Sequence, residues 1–304
     1  MGITLDYTSP VSRTRELRRK PASVTGAILL GDPTAFDIRW AINAHMLTES
    51  GTLQSVDHAR SRAQWSALRS TCERLGFRVL VLPSAPGLCD QVFVANPAFP
   101  FSDPVSGAPS VLLSHMRHAE RQREPELLGE FLCGQGVRVV RCDTADSFEG
   151  TGDLLTVPGQ RLLFGGLGPR SERVGLEEAA RVADADLVLL RLPDPRYYHL
   201  DTCLAFLDAR TALWVPEAFP EEERRLLVAL IPRLLTVPGT EGVDGFAGNA
   251  YCPDGRHVLL DVAARETTAL LAREGFVPVP LDTSEFRKSG GSVFCLKLAL
   301  PAPR

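Results

Sequence analysis

Five times along the chain a stretch of helical, amphipathic period runs into a short β-rich segment, and this recurrence limits the fold more than any other feature. The β-rich runs are Gly76-FRVLVLP, Gly136-VRVVRCD, Asp186-LVLLRLP, Arg233-LLTVPG and Gly275-FVPVPLD. A helix is expected before each. Asp57 to Leu75 would turn Ala59, Ala63, Leu68 and Leu75 inward, and Pro220 to Ile231 opens on three glutamates, where the helix dipole favours acids. Gly76, Gly136 and Gly275 suit helix C-termini. Further strand-like segments follow, at Val92-FVAN, Leu154-LTV with Arg161-LLFGG, Leu204-AFLDARTALWVP, Asn249-AYCPDGRHVLLD and Val293-FCLKLAL. The spacing shrinks from about 60 to about 42 residues, so the repetition is of pattern and not of letters. Five such units point to an α/β fold closed into a ring, in which equivalent turns converge on the axis. Asp90, Glu149, His199 with Asp201, and Cys295 all fall in such turns.

The rest of the chain is compatible with one ring-shaped domain over residues 23–304, preceded by a solvated tail over 1–22 that carries Arg13, Arg15, Arg18, Arg19 and Lys20. A net charge of -4 with both signs interspersed gives no electrostatic case for nucleic acid or an anionic membrane, which leaves a small molecule as the expected partner. No apolar stretch approaches the ~20 residues of a membrane span. Cysteines 72, 89, 133, 142, 203, 252 and 295 form an odd set without a CxxC pair, so neither a disulfide framework nor a cysteine zinc site is indicated and a reducing cytoplasm is expected.

Cys295 lies behind Ser289-Gly290-Gly291-Ser292 in an apolar run. A Gly-Gly step lets backbone and ligand approach closely, and the alternation after it reads as a strand with the thiol at its mouth. Taken alone, such a cysteine is a small buried hydrophobe. In Phe148-Glu149-Gly150-Thr151-Gly152-Asp153 two carboxylates flank a Gly-rich turn, a better arrangement for gripping a cation than a phosphate. Tyr198-His199-Leu200-Asp201 puts His199 and Asp201 on one side of an extended segment, where a histidine beside a carboxylate can act as general acid and base. A thiol, a histidine and several carboxylates suit attack on a cationic carbon flanked by nitrogens. The acids bind a guanidinium, and its charge in turn favours the thiolate. A metal site through His115 and His118 lacks a third ligand at suitable spacing, so no metal is expected.

These motifs, together with Asp90-Gln-Val-Phe-Val-Ala-Asn96, Glu120-Arg121-Gln-Arg-Glu124 and Gly290-Gly291-x-x-x-Cys295, resemble the guanidino-group-modifying enzymes from about Phe36 to the C-terminus. That superfamily has the five-bladed α/β-propeller, or pentein, fold. It includes dimethylarginine dimethylaminohydrolases, arginine deiminases, amidinotransferases and arginine dihydrolase domains. The resemblance implies that Cys295 is the nucleophile and His199 the general acid and base, while Glu149 and Asp201 hold the guanidinium. It also implies that Asp90 meets the guanidino end, Arg121 and Arg170 meet the substrate's α-carboxylate, and no organic cofactor is needed. Asn96 stands where several relatives carry an acid; it either caps the turn before Pro97 or orients water or a second leaving amine. Phe36-Asp37-Ile-Arg-Trp40 and Asn43-Ala-His-Met46 depart from the superfamily's usual letters, and His45 is given no role. The expected activity is hydrolysis of arginine or an N-methylated arginine, with homodimer formation left open. Amidino transfer to an amine is the alternative, and a non-catalytic pentein binder would have no use for Cys295, His199 and Glu149 together.

Overall fold

The computed structural model describes residues 2–17 and 25–302 of the 304-residue chain. They form five small sheets, one for each unit of the repeat. Four share one plan: an inner strand pairs antiparallel with a middle strand, and the middle strand pairs parallel with an outer one. Parallel neighbours need a crossover, and a helix supplies it in each sheet. Blade two runs Ala98–Ser102, Pro109–Leu113, helix Glu124–Gly134, Arg138–Val140. Blade three runs Leu154–Thr156, Leu162–Leu167, helix Arg173–Val182, Asp186–Arg191. Blade four runs Leu204–Phe206, Thr211–Trp214, helix Glu221–Leu230, Arg233–Thr236. Blade five keeps only His257–Asp261 and Val277–Leu281 around helix Arg265–Arg273, its inner strand reduced to the bridge between Tyr251 and Leu259. All five β-rich runs seen in the sequence are outer strands. The expected five-bladed α/β-propeller is the fold.

Blade one is built from both ends of the chain. Its middle and outer strands are Thr25–Gly31 and Arg78–Leu82, joined through helix His58–Arg74, and its inner strand is the C-terminal Lys297–Pro301. The antiparallel pairing of Leu298 with Leu29 therefore closes the ring. Middle strands are covered on both faces, so Ile28, Leu29 and Leu30 form an unbroken apolar run and are fully buried. Leu298 is equally buried. Leu298→Ala should cost about 3 kcal/mol, the usual range for a core leucine, read as a lower midpoint in urea unfolding.

Several local expectations are corrected. Gly76, Gly136 and Gly275 do end helices with positive φ (89, 78 and 91°). The first helix, however, buries Ser61, Gln64, Trp65, Leu68, Thr71 and Cys72, whereas Ala59 and Ala63 are exposed. Asp57 caps it by accepting from the Ala59 and Arg60 N–H groups, which sets a face that alanine placement does not reveal. Val92–Asn96 and Val293–Leu296 are turns, not strands. Their apolar side chains face packed neighbours from other blades, and the Leu296 N–H closes one helical turn on Ser292. The N-terminus is not a free tail. Thr4–Leu5 adds a parallel strand to blade three opposite Leu187 and Val188, Arg173 reaches Asp6 at 2.8 Å, and Leu5 and Leu17 are buried. Arg18, Arg19 and Lys20 lie outside the described residues. Among the described residues no helix is long and apolar enough to cross a membrane.

Candidate active site

The turn that leads into each inner strand points to one end of the axis, and the five turns supply the site. Blade two contributes Asp90 and Asn96, blade three Glu149 and Asp153, blade four His199 and Asp201, blade five Asn249, and blade one Cys295. The turns lock onto one another through backbone hydrogen bonds, from Ala95 N–H to Cys295 O (3.2 Å) and from Thr151 N–H to Ala95 O (2.8 Å). The Gly290-Gly291 step serves this packing. Gly290 has φ +86°, and a Cβ on Gly291 would stand 2.4 Å from the Phe93 ring.

His199 and Asp201 do not share a face. Residues 200–202 form a 3-10 turn, which sends the two side chains into different hydrogen-bonded groups. In the first group the Cys295 thiol donates to Asp201 Oδ2 at 3.2 Å. Asn249 Nδ2 donates to Cys295 Sγ (3.1 Å) and to Asp201 O (3.0 Å), and Asn249 Oδ1 accepts from the N–H groups of Ser292, Phe294 and Cys295. Asp201 Oδ1 is buried without a partner among the described residues. Such an orphaned acceptor is costly unless a ligand donor reaches it.

In the second group His199 Nε2 lies 2.8 Å from Glu149 Oε2 and 3.9 Å from Asp153 Oδ2, and its Nδ1 is 3.5 Å from the Asn96 amide. Glu149 also accepts from Arg170 (3.0 Å) and from the Arg117 N–H (3.0 Å). Asp153 accepts from Ser171 (2.7 Å) and from the Leu200 N–H (3.1 Å). A narrow cavity between the groups is walled by Cys295, Asp90, Asn96, Arg121, Arg170 and Tyr198. Asp90 faces it while held by Trp40 Nε1 at 2.8 Å and Ser289 at 3.4 Å. Both arginines are already engaged. Arg121 pairs with Glu124 at 2.7 Å and donates to Asn96 Oδ1 at 2.9 Å, and Arg170 bonds Glu149, donates to Ile42 O and lies over the Tyr198 ring.

Burial shapes the ionisation of these groups. It pushes the Cys295 thiol well above its ordinary range, and the negative Asp201 adds to the effect. It also pushes Asp201 up to about 7 and Asp153 up to about 6. Asp90 is raised by the same cause. Glu149 is the exception: burial opposes its charge, yet Arg170 and His199 hold it well below the usual carboxylate range. The site therefore has one firmly ionised acid beside the histidine and a proton-sharing acid beside the thiol. Among the described residues no cluster of three or more metal-ligating side chains is present.

A sequence profile for the eukaryotic N,N-dimethylarginine dimethylhydrolase family matches residues 32–300. The chain belongs to this dimethylargininase family. A relative named N(G),N(G)-dimethylarginine dimethylaminohydrolase from Mycobacterium tuberculosis is 36% identical over 96% of this chain and 89% of its own length. ArgZ of Synechocystis, a bifunctional arginine dihydrolase/ornithine cyclodeaminase, is 32% identical over 91% of this chain but only 38% of its own length. The solved N-terminal domain of ArgZ, bound to substrate, superposes with a TM-score of 0.81 at 30% identity, covering 90% of this chain and 97% of that one.

Of the residues singled out in the sequence, all nine of Cys295, His199, Glu149, Asp201, Asp90, Asn96, Arg121, Arg170 and Asp153 converge here. Asn249, Trp40 and Ser289 were not singled out. For Asn249 a signal existed: it occupies, in the last repeat unit, the turn that carries functional side chains in the others. Gly248 beside it has room for no side chain, since a Cβ there would stand 2.3 Å from Thr202 O. Trp40 has no comparable signal, because it reaches Asp90 from a loop outside the repeat.

Proposed function

We propose that this dimethylargininase-family chain hydrolyses the guanidino group of arginine or an N-methylated arginine through a covalent amidino intermediate on Cys295. The carrying observation is the thiol that donates to Asp201 and opens on a cavity shared with Asp90, Asn96, Arg121 and Arg170, together with the His199–Glu149 pair. In this reading Asp201 and Asp90 receive the guanidinium N–H groups, and the free Oδ1 of Asp201 is the acceptor left for one of them. Guanidinium binding expels the thiol proton to solvent, and thiolate attack on the cationic carbon forms the S–C bond and a neutral tetrahedral centre. The C–N bond then breaks as His199 gives a proton to the leaving amine. Water attacks the amidino carbon while His199 takes its proton, and collapse of this second tetrahedral centre releases the ureido product and Cys295. Glu149 orients His199 through its contact with Nε2. Asn249 positions the nucleophile. Arg121 holds Asn96 and Arg170 holds Glu149, in addition to any contact with the substrate's α-carboxylate.

A second reading rests on Asn96. Its amide lies next to His199 and would suit a second hydrolysis, giving ornithine in place of citrulline. Mass-spectrometric product analysis with arginine, monomethylarginine, dimethylarginine, agmatine and guanidinoacetate tests both readings, with glycine added to test transfer. Citrulline with release of ammonia or a methylamine supports the first, and ornithine the second. An amidinated glycine product would replace hydrolysis by transfer, and no turnover of any of these guanidines would sink the proposal. We also place the protein in the cytoplasm, on the seven cysteines that all stand unpaired.

A further inference from the structure

A second cavity, of about 600 Å³, lies on the propeller axis beyond the catalytic turns. Every blade contributes to it: Lys297 from blade one, Phe99 from two, Leu163 from three, Phe206 from four and Tyr251 from five. It shares no lining residue with the active-site cavity. The segment Cys295–Lys297 is the partition, with Cys295 facing one chamber and Lys297 the other. A volume of this size is in the range of small-molecule sites, which run from about 300 to about 1,000 Å³. The strands around the axis turn aromatic and aliphatic side chains into it.

Lys297 is the anomaly in this lining. It is 2% exposed, and among the described residues its ammonium lies against the rings of Phe294 (3.1 Å to the centroid) and Tyr251 (4.6 Å). The other charged residues of the lining are satisfied. Arg161 stands 3.6 Å from Asp184 and donates to Ala183 O, Asp208 accepts from the N–H groups of Arg210 and Thr211, and Asp254 holds His257 at 2.6 Å. No hydrogen bond or ion pair reaches Lys297 Nζ among the described residues. A buried cation without an anion is expensive, and ring faces replace only part of its hydration. Burial pushes this lysine down to about 7, and the titratable groups around it are Asp201, Cys295, Cys72 and Tyr251.

We propose that the axial cavity is a binding site for an amphipathic monocarboxylate, its carboxylate paired with Lys297 and its apolar body among the inner-strand side chains. Charge sets the headgroup: one unpaired cation matches one carboxylate, whereas a doubly charged phosphate would bring a second charge with no partner. The rings and leucines set the body, and Gln160 Oε1 and the Tyr251 hydroxyl, buried without a partner among the described residues, are the polar points it would pass. The chamber is distinct from the guanidino pocket, although Lys297 is attracted across the partition by Asp201 and Cys295.

Isothermal titration of the full chain with dodecanoate below its micelle concentration tests the assignment. One saturable site is expected, with 1-dodecanol and dodecylammonium each binding at least about tenfold more weakly, the loss of one charge-assisted pair at 1.4 kcal/mol per decade. Lys297→Met should weaken dodecanoate by a similar factor. Leu163→Trp, which narrows the chamber and leaves Lys297 in place, should weaken all three ligands, and it decides the matter if Lys297→Met does not fold. Absence of saturation, equal binding of dodecanoate and dodecylammonium, or binding that survives Leu163→Trp would overturn the proposal.

Discussion

Cys295→Ala should abolish turnover, with kcat falling by at least about 10⁴-fold, because removal of a nucleophile eliminates the covalent route and leaves only binding and orientation. The intact thiol should also show conditional reactivity. It is buried, donates to Asp201, and is pushed well above its ordinary range, so the ligand-free protein holds it as SH at neutral pH. A guanidinium reverses this. Unit charges ~4 Å apart at an effective dielectric of ~20 attract by ~4 kcal/mol, enough to lower the thiol by about three pH units before desolvation is subtracted. Alkylation of Cys295 should therefore be slow at pH 7 without ligand. Small guanidinium cations that bind without blocking the sulfur should speed it, with its pH midpoint moving down. Mass spectrometry of the Cys295 peptide reads the result in a Cys133→Ser background, which removes the exposed cysteine. A thiolate already formed at neutral pH in the empty site would contradict the role given to the substrate's charge.

What could be read from the letters followed from physical regularity. Outer strands carry a repeated apolar pattern after a helix and a glycine at the helix end, so all five were visible, and with them the ring. The side chains of the candidate site are legible because acids, a histidine and a thiol in glycine-rich turns are poor core material. The turns themselves are not legible as turns. Val92–Asn96 and Val293–Leu296 are buried from several sides, so their composition imitates strands although their hydrogen bonds are those of turns. The opposite orientations of His199 and Asp201 depend on a 3-10 turn that opens after His199, which residue spacing alone does not encode. The pairing of Trp40 with Asp90 is a long-range contact from a loop outside the repeat and carries no local signature, whereas Asn249 beside Cys295 is marked only by its place in the repeat. The N-terminal strand was missed for a similar reason: two residues with one buried leucine are too short for a periodicity, and tertiary packing decides them.

Glu149→Gln and Asp201→Asn should separate the two acids of the site by opposite effects on stability, while both lower kcat by about 10² to 10³. Glu149 is buried, ionised and bonded to Arg170, so the amide leaves a buried guanidinium without its counter-charge and should cost about 3–5 kcal/mol at pH 7. Its folded-state pKa lies below its unfolded one. That contribution is therefore fully present above the unfolded value of about 4.3 and is lost as pH falls further, so the gap between wild type and Glu149→Gln should narrow in acid. Asp201 behaves in the other sense. Burial raises it to about 7, so the folded protein binds this proton more tightly than the unfolded chain, and its contribution is present below about 3.9 and lost as pH rises through about 7. Asp201→Asn removes that ionisation and should leave stability at pH 7.5 unchanged or higher, even though activity collapses. Urea midpoints at pH 3, 4.5 and 7.5, set beside kcat for each variant, check the pair. Equal destabilisation by both substitutions at pH 7.5 would mean that Asp201 is charged and paired in the empty site. The thiol would then have no proton-sharing neighbour, and the conditional activation of Cys295 would fail with it.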